Sequence, residues 1–252
     1  MRFVSALVLG FFILVPYLLF SQGTGYLPEN IVSNWSLNVG TNPVLNAVFY
    51  LFNHVGLKHL LGNLFIVLVF ALLLEAVLNW KHVLAIFFSS GLIAGISFSL
   101  LNPFTFLAGA SAAGAGVMAA ALALRPKLAL VLLLLSPLVI QFIIFPFSDY
   151  ATNAQKHFLT TNQEKLASQY SQLVKENNLP QALVVKEKLD VVSKTKQIVV
   201  RGETRQEETP TDFWVHAWGA LLGVLYLGLF KRKELESGRK EFEDIGRILL
   251  RK

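Results

Sequence analysis

The sequence predicts an all-α membrane protein: a bundle of six transmembrane helices with a 65-residue extracytoplasmic insert between the fifth and sixth. Three observations predict it. The 252 residues are 54% hydrophobic and only 15% charged, whereas a soluble domain usually carries about 25% charged residues. The charge is unevenly distributed. Residues 3–147 hold only Glu29, Lys58, Glu75, Lys81, Arg125 and Lys127, and the remainder cluster in 148–212 and 231–252. Finally, six apolar runs approach the roughly 20 residues that a bilayer core of about 30 Å requires of a helix. This composition excludes a soluble globular enzyme and a disordered chain, and the lack of cysteine excludes a disulfide scaffold. The net charge of +6 is not gathered into a basic patch with interleaved aromatics, so no nucleic-acid partner is expected.

The runs cover 3–20, 59–78, 82–101, 111–124, 128–147 and 213–230. The first follows Arg2 and has 18 residues. It is longer than the apolar part of a secretion signal and lacks a small-x-small cleavage site, so it is read as a retained span. Arg2, Lys81, Arg125 with Lys127, and Lys231-Arg232-Lys233 all fall on one side if the N-terminus is cytoplasmic, as the positive-inside rule asks. Both termini are then cytoplasmic in a multi-pass protein of the cell membrane. The chain divides into 1–147 (spans 1–5), 148–212 (an amphipathic extracytoplasmic insert and candidate lid), 213–230 (span 6) and 231–252 (a basic cytoplasmic tail).

Outside the spans, residues 21–58 contain Gly23, Gly25, Pro28, Trp35 and Pro43 and read as a loop lying partly in the interface. Phe158, Leu159, Leu166, Tyr170, Leu173 and Val174 recur at helical spacing and predict an amphipathic helix over 153–176, ended by Asn177-Asn178-Leu179-Pro180. Over 182–200, apolar pairs alternate with lysines, and the pattern does not choose between helix and strand.

Polar groups inside a span need a reason. The fourth span opens with Gly109-Ala110-Ser111 and reaches Arg125-Pro126 only 14 residues later. At 1.5 Å per residue, Ser111 stands roughly 21 Å above the inner interface, so its helix begins within the bilayer. Backbone that is not helical at such a depth must be buried in protein or line a watery cavity; a serine there is also an ordinary helix N-cap. His216, in the sixth span, stands roughly 22 Å above the same interface by the same count, and Asn63 in the second roughly 24 Å. His59 and Asn63, four apart, share one helical face. His59 or Asn63 alone reads equally well as a hydrogen bond between helices, and a lone intramembrane histidine such as His216 is more often such a partner or part of a proton path than a catalytic base. Gly219 and Gly223 form a small-xxx-small face on the sixth span, and Gly114, Ala115, Gly116, Ala119 and Ala120 offer another on the fourth, which allows close approach.

A serine, a histidine and two side-chain donors at one depth suit acyl transfer. The serine attacks a carbonyl, the histidine takes and returns the proton, and pre-placed donors hold the oxyanion. No acidic residue is expected at that depth, which makes the arrangement a dyad. A transporter with a histidine relay is a further reading, but the sequence lacks paired repeats and acidic partners.

These residues resemble the rhomboid intramembrane serine proteases. Phe52-x-His54-x4-His59-x3-Asn63 is similar to that family's second-span signature, with Glu75 matching its acidic residue at the inner end of the helix. Gly109-x-Ser111 resembles its catalytic-serine motif, and His216-x2-Gly219-x3-Gly223 its sixth-span motif. The resemblance implies cleavage of transmembrane protein substrates within the lipid bilayer, without metal or cofactor. It makes Ser111 the nucleophile, His216 the base and then acid, and His59, Asn63 and the Ser111 backbone the oxyanion hole. His54, Gly109, Gly219 and Gly223 are implied as support. Three departures stand out: Ala112 replaces the usual glycine after the serine, Ala115 replaces an aromatic that packs on the histidine, and Trp35 is followed by Ser36 rather than arginine. The alternative is a catalytically silent rhomboid-like protein that binds membrane clients.

Overall fold

The computed structural model describes residues 3–21, 23–40, 43–208 and 213–250. Among them every regular element is helical, and two isolated β-bridges are the only extended pairings. In chain order the helices are α1 (Val4–Ser21), α2 (Glu29–Trp35), α3 (Pro43–Phe49), a 3-10 turn (Tyr50–Phe52), α4 (Leu57–Glu75), α5 (Trp80–Leu101), α6 (Ser111–Leu124) and α7 (Pro126–Val139). A π-helical segment (Ile140–Ile144) joins α7 to α8 (Phe145–Lys175); α9 (Leu179–Glu208), α10 (Phe213–Phe230) and α11 (Arg232–Leu250) follow. Arg2, read as the charged start of the first span, lies outside the described residues, as does the 209–212 end of the insert.

Among the described residues, five helical runs are long and apolar enough to cross a membrane: α1, α4, α5, the continuous run Pro126–Lys175, and α10. The chain is therefore a multi-pass membrane protein. The shorter apolar helix α6 has 14 residues. Its start is set by Gly109, whose φ of +107° is a conformation other residues rarely adopt. Its end is set by Pro126, which disfavours helical backbone at Arg125 (φ −138°, ψ 61°). Despite its length α6 is the most enclosed helix, burying Ala112, Ala113, Gly114, Ala115, Gly116, Val117, Ala120, Ala121 and Leu124. Small side chains let α4, α5 and α10 pack around it at close range. Large apolar side chains such as Leu7, Ile93, Leu100, Leu134, Phe142 and Leu229 face outward, where lipid replaces a protein core.

One end of the bundle is fastened by Glu75. Its carboxylate accepts the Val4 N–H at 2.8 Å, the Ser5 N–H at 3.2–3.3 Å and the Ser5 hydroxyl at 2.6 Å. The last turn of α4 thus supplies the cap for orphan N–H groups of α1, with a charge favoured there by the helix dipole. At the same end Asn79 caps α5 by accepting the Lys81 N–H. His82 and Tyr226 meet at 2.9 Å, joining the start of α5 to the end of α10.

At the other end the 21–58 segment is built from α2, α3 and the 3-10 turn rather than being irregular throughout. Trp35 is held between Phe20 and Phe49, with ring centroids 4.7 and 5.1 Å away. Val44, Leu45 and Val48 of α3 remain exposed, which suits a helix half sunk in the interface.

The fifth apolar run continues without a helical break through residue 147 into the polar segment. Pro137 lacks the N–H that would close its turn, and the helix widens into the π segment just beyond it before resuming. Asn177 (φ +56°) ends α8, and Pro180 sits in the first turn of α9. The ambiguous stretch 182–200 is helical. Packing on α8 overrides its mixed periodicity: Leu159 and Val199 form a small core with Tyr26, and Gln163 donates to Ser193. Lys156 pairs with Glu203, Gln155 donates to the Gly23 carbonyl, and Lys58 pairs with Asp149 at 2.7 Å. The α8–α9 hairpin therefore stands on the 23–26 turn and on the first turn of α4.

Candidate functional site

Three segments meet beside the start of α6, and each is placed by identifiable contacts. The first is the loop 102–110. Leu37 and Leu107 exchange both backbone hydrogen bonds, at 2.8 and 3.0 Å, and the Asn38 amide donates to the carbonyls of Pro103 and Thr105. Gly109 donates its N–H to the Tyr50 carbonyl at 2.8 Å, and the Tyr50 hydroxyl donates to the Gly91 carbonyl at 2.5 Å. Tyr50, fully buried, thereby ties the residues before Ser111 to α5.

The second segment is the start of α4. A methyl group built on Gly109 would stand 2.6 Å from His59 Nε2 and 3.2 Å from Asn63 Nδ2. Only a residue without a side chain can bring its backbone so near these two groups. His59 and Asn63 are both partly exposed as residues, yet the Asn63 Nδ2 atom is buried with no hydrogen-bond partner among the described residues. A buried donor left open costs about 1–3 kcal/mol and calls for a reason.

His54 lies just ahead of α4 and is completely buried. Its Nε2 accepts the Ala110 N–H at 3.4 Å, which places its own proton on Nδ1, 3.3 Å from the Phe52 carbonyl. Its ring packs edge-on to His59, with centroids 5.1 Å apart. His54 thus holds the Gly109–Ala110 peptide, one peptide ahead of the Ser111 N–H.

The third segment is α10. A methyl group on Gly219 would come within 2.1 Å of the Ala112 carbonyl oxygen, and one on Gly223 within 2.2 Å of the Gly116 carbonyl oxygen. The two helices therefore run parallel and backbone to backbone, with Ala112 beside Gly219 and Gly116 beside Gly223. His216, one turn ahead of Gly219, therefore lies on the part of α10 nearest the start of α6. The His59 ring of α4 lies beside Gly109. Ser111 and His216 are both partly exposed.

His59 and Asn63 of α4 are thus brought against the Gly109 turn just before Ser111, with His54 bonded to Ala110, while Gly219 and Gly223 seat α10, which carries His216, against α6. Sequence reasoning missed Tyr50, whose carbonyl and hydroxyl hold the loop to α5; the sequence signal was Gly95 on α5, whose missing side chain makes room for its ring. Among the described residues, no group of three or more metal-ligating side chains is assembled. The arrangement offers a hydroxyl at a helix start, imidazole groups and an open amide donor, which are the parts acyl transfer uses.

Residues 41–158 match the family described as Rhomboid domain. The matched stretch includes Ser111, His54, His59 and Asn63 and ends before α10. No curated protein and no solved structure matches the chain.

Proposed function

We propose that this chain, a member of the rhomboid family, is an intramembrane serine endopeptidase that cleaves transmembrane protein substrates with a Ser111–His216 dyad. The observation that carries the reading is the crowding of His59 and Asn63 on the Gly109 backbone two residues before Ser111, with the Asn63 amide left open.

In this mechanism the Ser111 Oγ attacks the carbonyl carbon of the scissile peptide while His216 accepts its proton. The carbonyl oxygen becomes an oxyanion, held by the Ser111 N–H, the Asn63 amide and a proton on His59 Nε2. The α6 dipole adds to that stabilisation, because Ser111 is the first residue of the helix. His216 then returns the proton to the leaving amine, and water, deprotonated by His216, releases the second product from the acyl-serine. Tight α6–α10 packing replaces a third, orienting carboxylate as the device that fixes the imidazole. A six-span membrane core, with α6 as the short central span and both termini cytoplasmic, accompanies this reading, and so does the division at 147, 212 and 230. We assign the α8–α9 insert as a lid or substrate-docking module, supported by its footing on the 23–26 turn and α4. Unchanged cleavage of every substrate after deletion of 152–208 would remove that role.

Ala115 favours the second reading, a silent rhomboid-like protein that binds membrane clients, because a methyl group offers little for an imidazole ring to pack on. The two separate on one experiment. The protein, reconstituted with a transmembrane substrate, is expected to cleave it, with no cleavage by His216→Ala; binding without cleavage by the parent chain favours the silent reading.

A further inference from the structure

The catalytic reading leaves α11 without a task, although its placement is specific. It leaves the foot of α10, crosses α6, where a methyl group on Gly238 would lie 2.0 Å from the Ala123 carbonyl oxygen, and reaches α7, where Glu241 accepts the Lys127 N–H at 3.0 Å. It therefore runs across the end of the bundle rather than extending α10 away from it. The same end holds Glu75 and Arg125, the feet of α4 and α6.

Its faces are distinct. Leu235, Gly238, Phe242 and Ile245 follow helical spacing, and Leu235 packs against the core. Phe242, one residue beyond the contact with α7, is 45% exposed. The run it has just passed, Pro126–Lys175, is the least buried of the candidate spans among the described residues. Lys233, Lys240 and Arg247 recur every seven residues on the opposite face. Lys231, Arg239 and Arg247 have carboxylate partners at 2.7–3.3 Å. Lys233 and Lys240 form no ion pair among the described residues and are exposed.

We propose that α11 is an in-plane interfacial helix that seats Phe242 at the acyl boundary and gathers anionic phospholipid headgroups around Lys233 and Lys240. An amphipathic helix held by a span at headgroup level meets the two requirements of such binding: an apolar face and exposed lysines outside any ion pair, with Glu236 the one carboxylate between them on that face. Basic residues next to a membrane span draw anionic lipid and are screened by salt. This holds whether or not Ser111 is a nucleophile.

The chain has no cysteine, so Ser237→Cys gives a single attachment point, exposed and within one turn of both lysines. A fluorophore there is read in nanodiscs containing nitroxide-labelled phosphatidylglycerol or phosphatidylcholine at equal mole fraction. At low salt, quenching by phosphatidylglycerol is expected to exceed that by phosphatidylcholine about threefold or more, as two cations near the surface imply. The ratio is expected to fall toward one in 0.5 M salt and in Lys233→Gln/Lys240→Gln. A ratio near one in the parent chain at low salt, or a ratio unchanged by the double substitution, overturns the proposal.

Discussion

Gly219 of α10 rests on Ala112 of α6 so closely that a methyl group there would stand 2.1 Å from the Ala112 carbonyl oxygen. That contact fixes the level of His216 relative to the turn before Ser111. Gly219→Ala is expected to separate the helices, lowering stability by about 1–3 kcal/mol through overpacking. Its turnover should fall further than the loss of folded protein explains. Thermal unfolding in detergent beside a cleavage assay measures both, and unchanged values in both would contradict the backbone contact.

The bond from the Ala110 N–H to His54 Nε2 supports a second expectation. His54→Ala leaves the buried Ala110 N–H open, at about 1–3 kcal/mol, and loosens the Gly109–Ala110 peptide, the neighbour of the one that carries the oxyanion donor. His54→Gln retains an acceptor and should recover part of both stability and turnover. Equal loss in the two variants would deny His54 its hold on that peptide.

Much of this candidate site was legible in the sequence because its signals are local. The shortness of α6 follows from counting residues between Ser111 and Pro126, and the shared face of His59 and Asn63 from their spacing of four. The α6–α10 contact was readable from small residues at matching intervals. What stayed hidden depends on partners far apart in the chain. Nothing near Glu75 announces that its carboxylate caps α1, some seventy residues away. Tyr50 looks like any aromatic in an apolar stretch until α5 and the 102–110 loop close around it. The helical state of 182–200 was unreadable because its apolar face is completed by Leu159 and Tyr26 rather than by its own period.

Asn63→Ala tests the open amide. Removing one oxyanion donor is expected to lower kcat about 10- to 1000-fold with little change in KM, because the donor acts on charge that develops only in the transition state. A change in KM alone would make Asn63 a substrate-binding group instead.

Glu75 acts far from the site. Glu75→Ala opens the first N–H groups of α1 and is expected to destabilise by about 0.5–2 kcal/mol, the range for a lost helix cap. The folded fraction should retain its turnover. Loss of turnover at full folding would tie this end of the bundle directly to the chemistry.

The most direct test of the central claim is covalent labelling of the purified protein by a fluorophosphonate probe, with the modified residue located by mass spectrometry. The account predicts a single adduct on Ser111, absent from Ser111→Ala and greatly slowed in His216→Ala. No adduct on the folded parent chain, or equal labelling of the parent and His216→Ala, would contradict it.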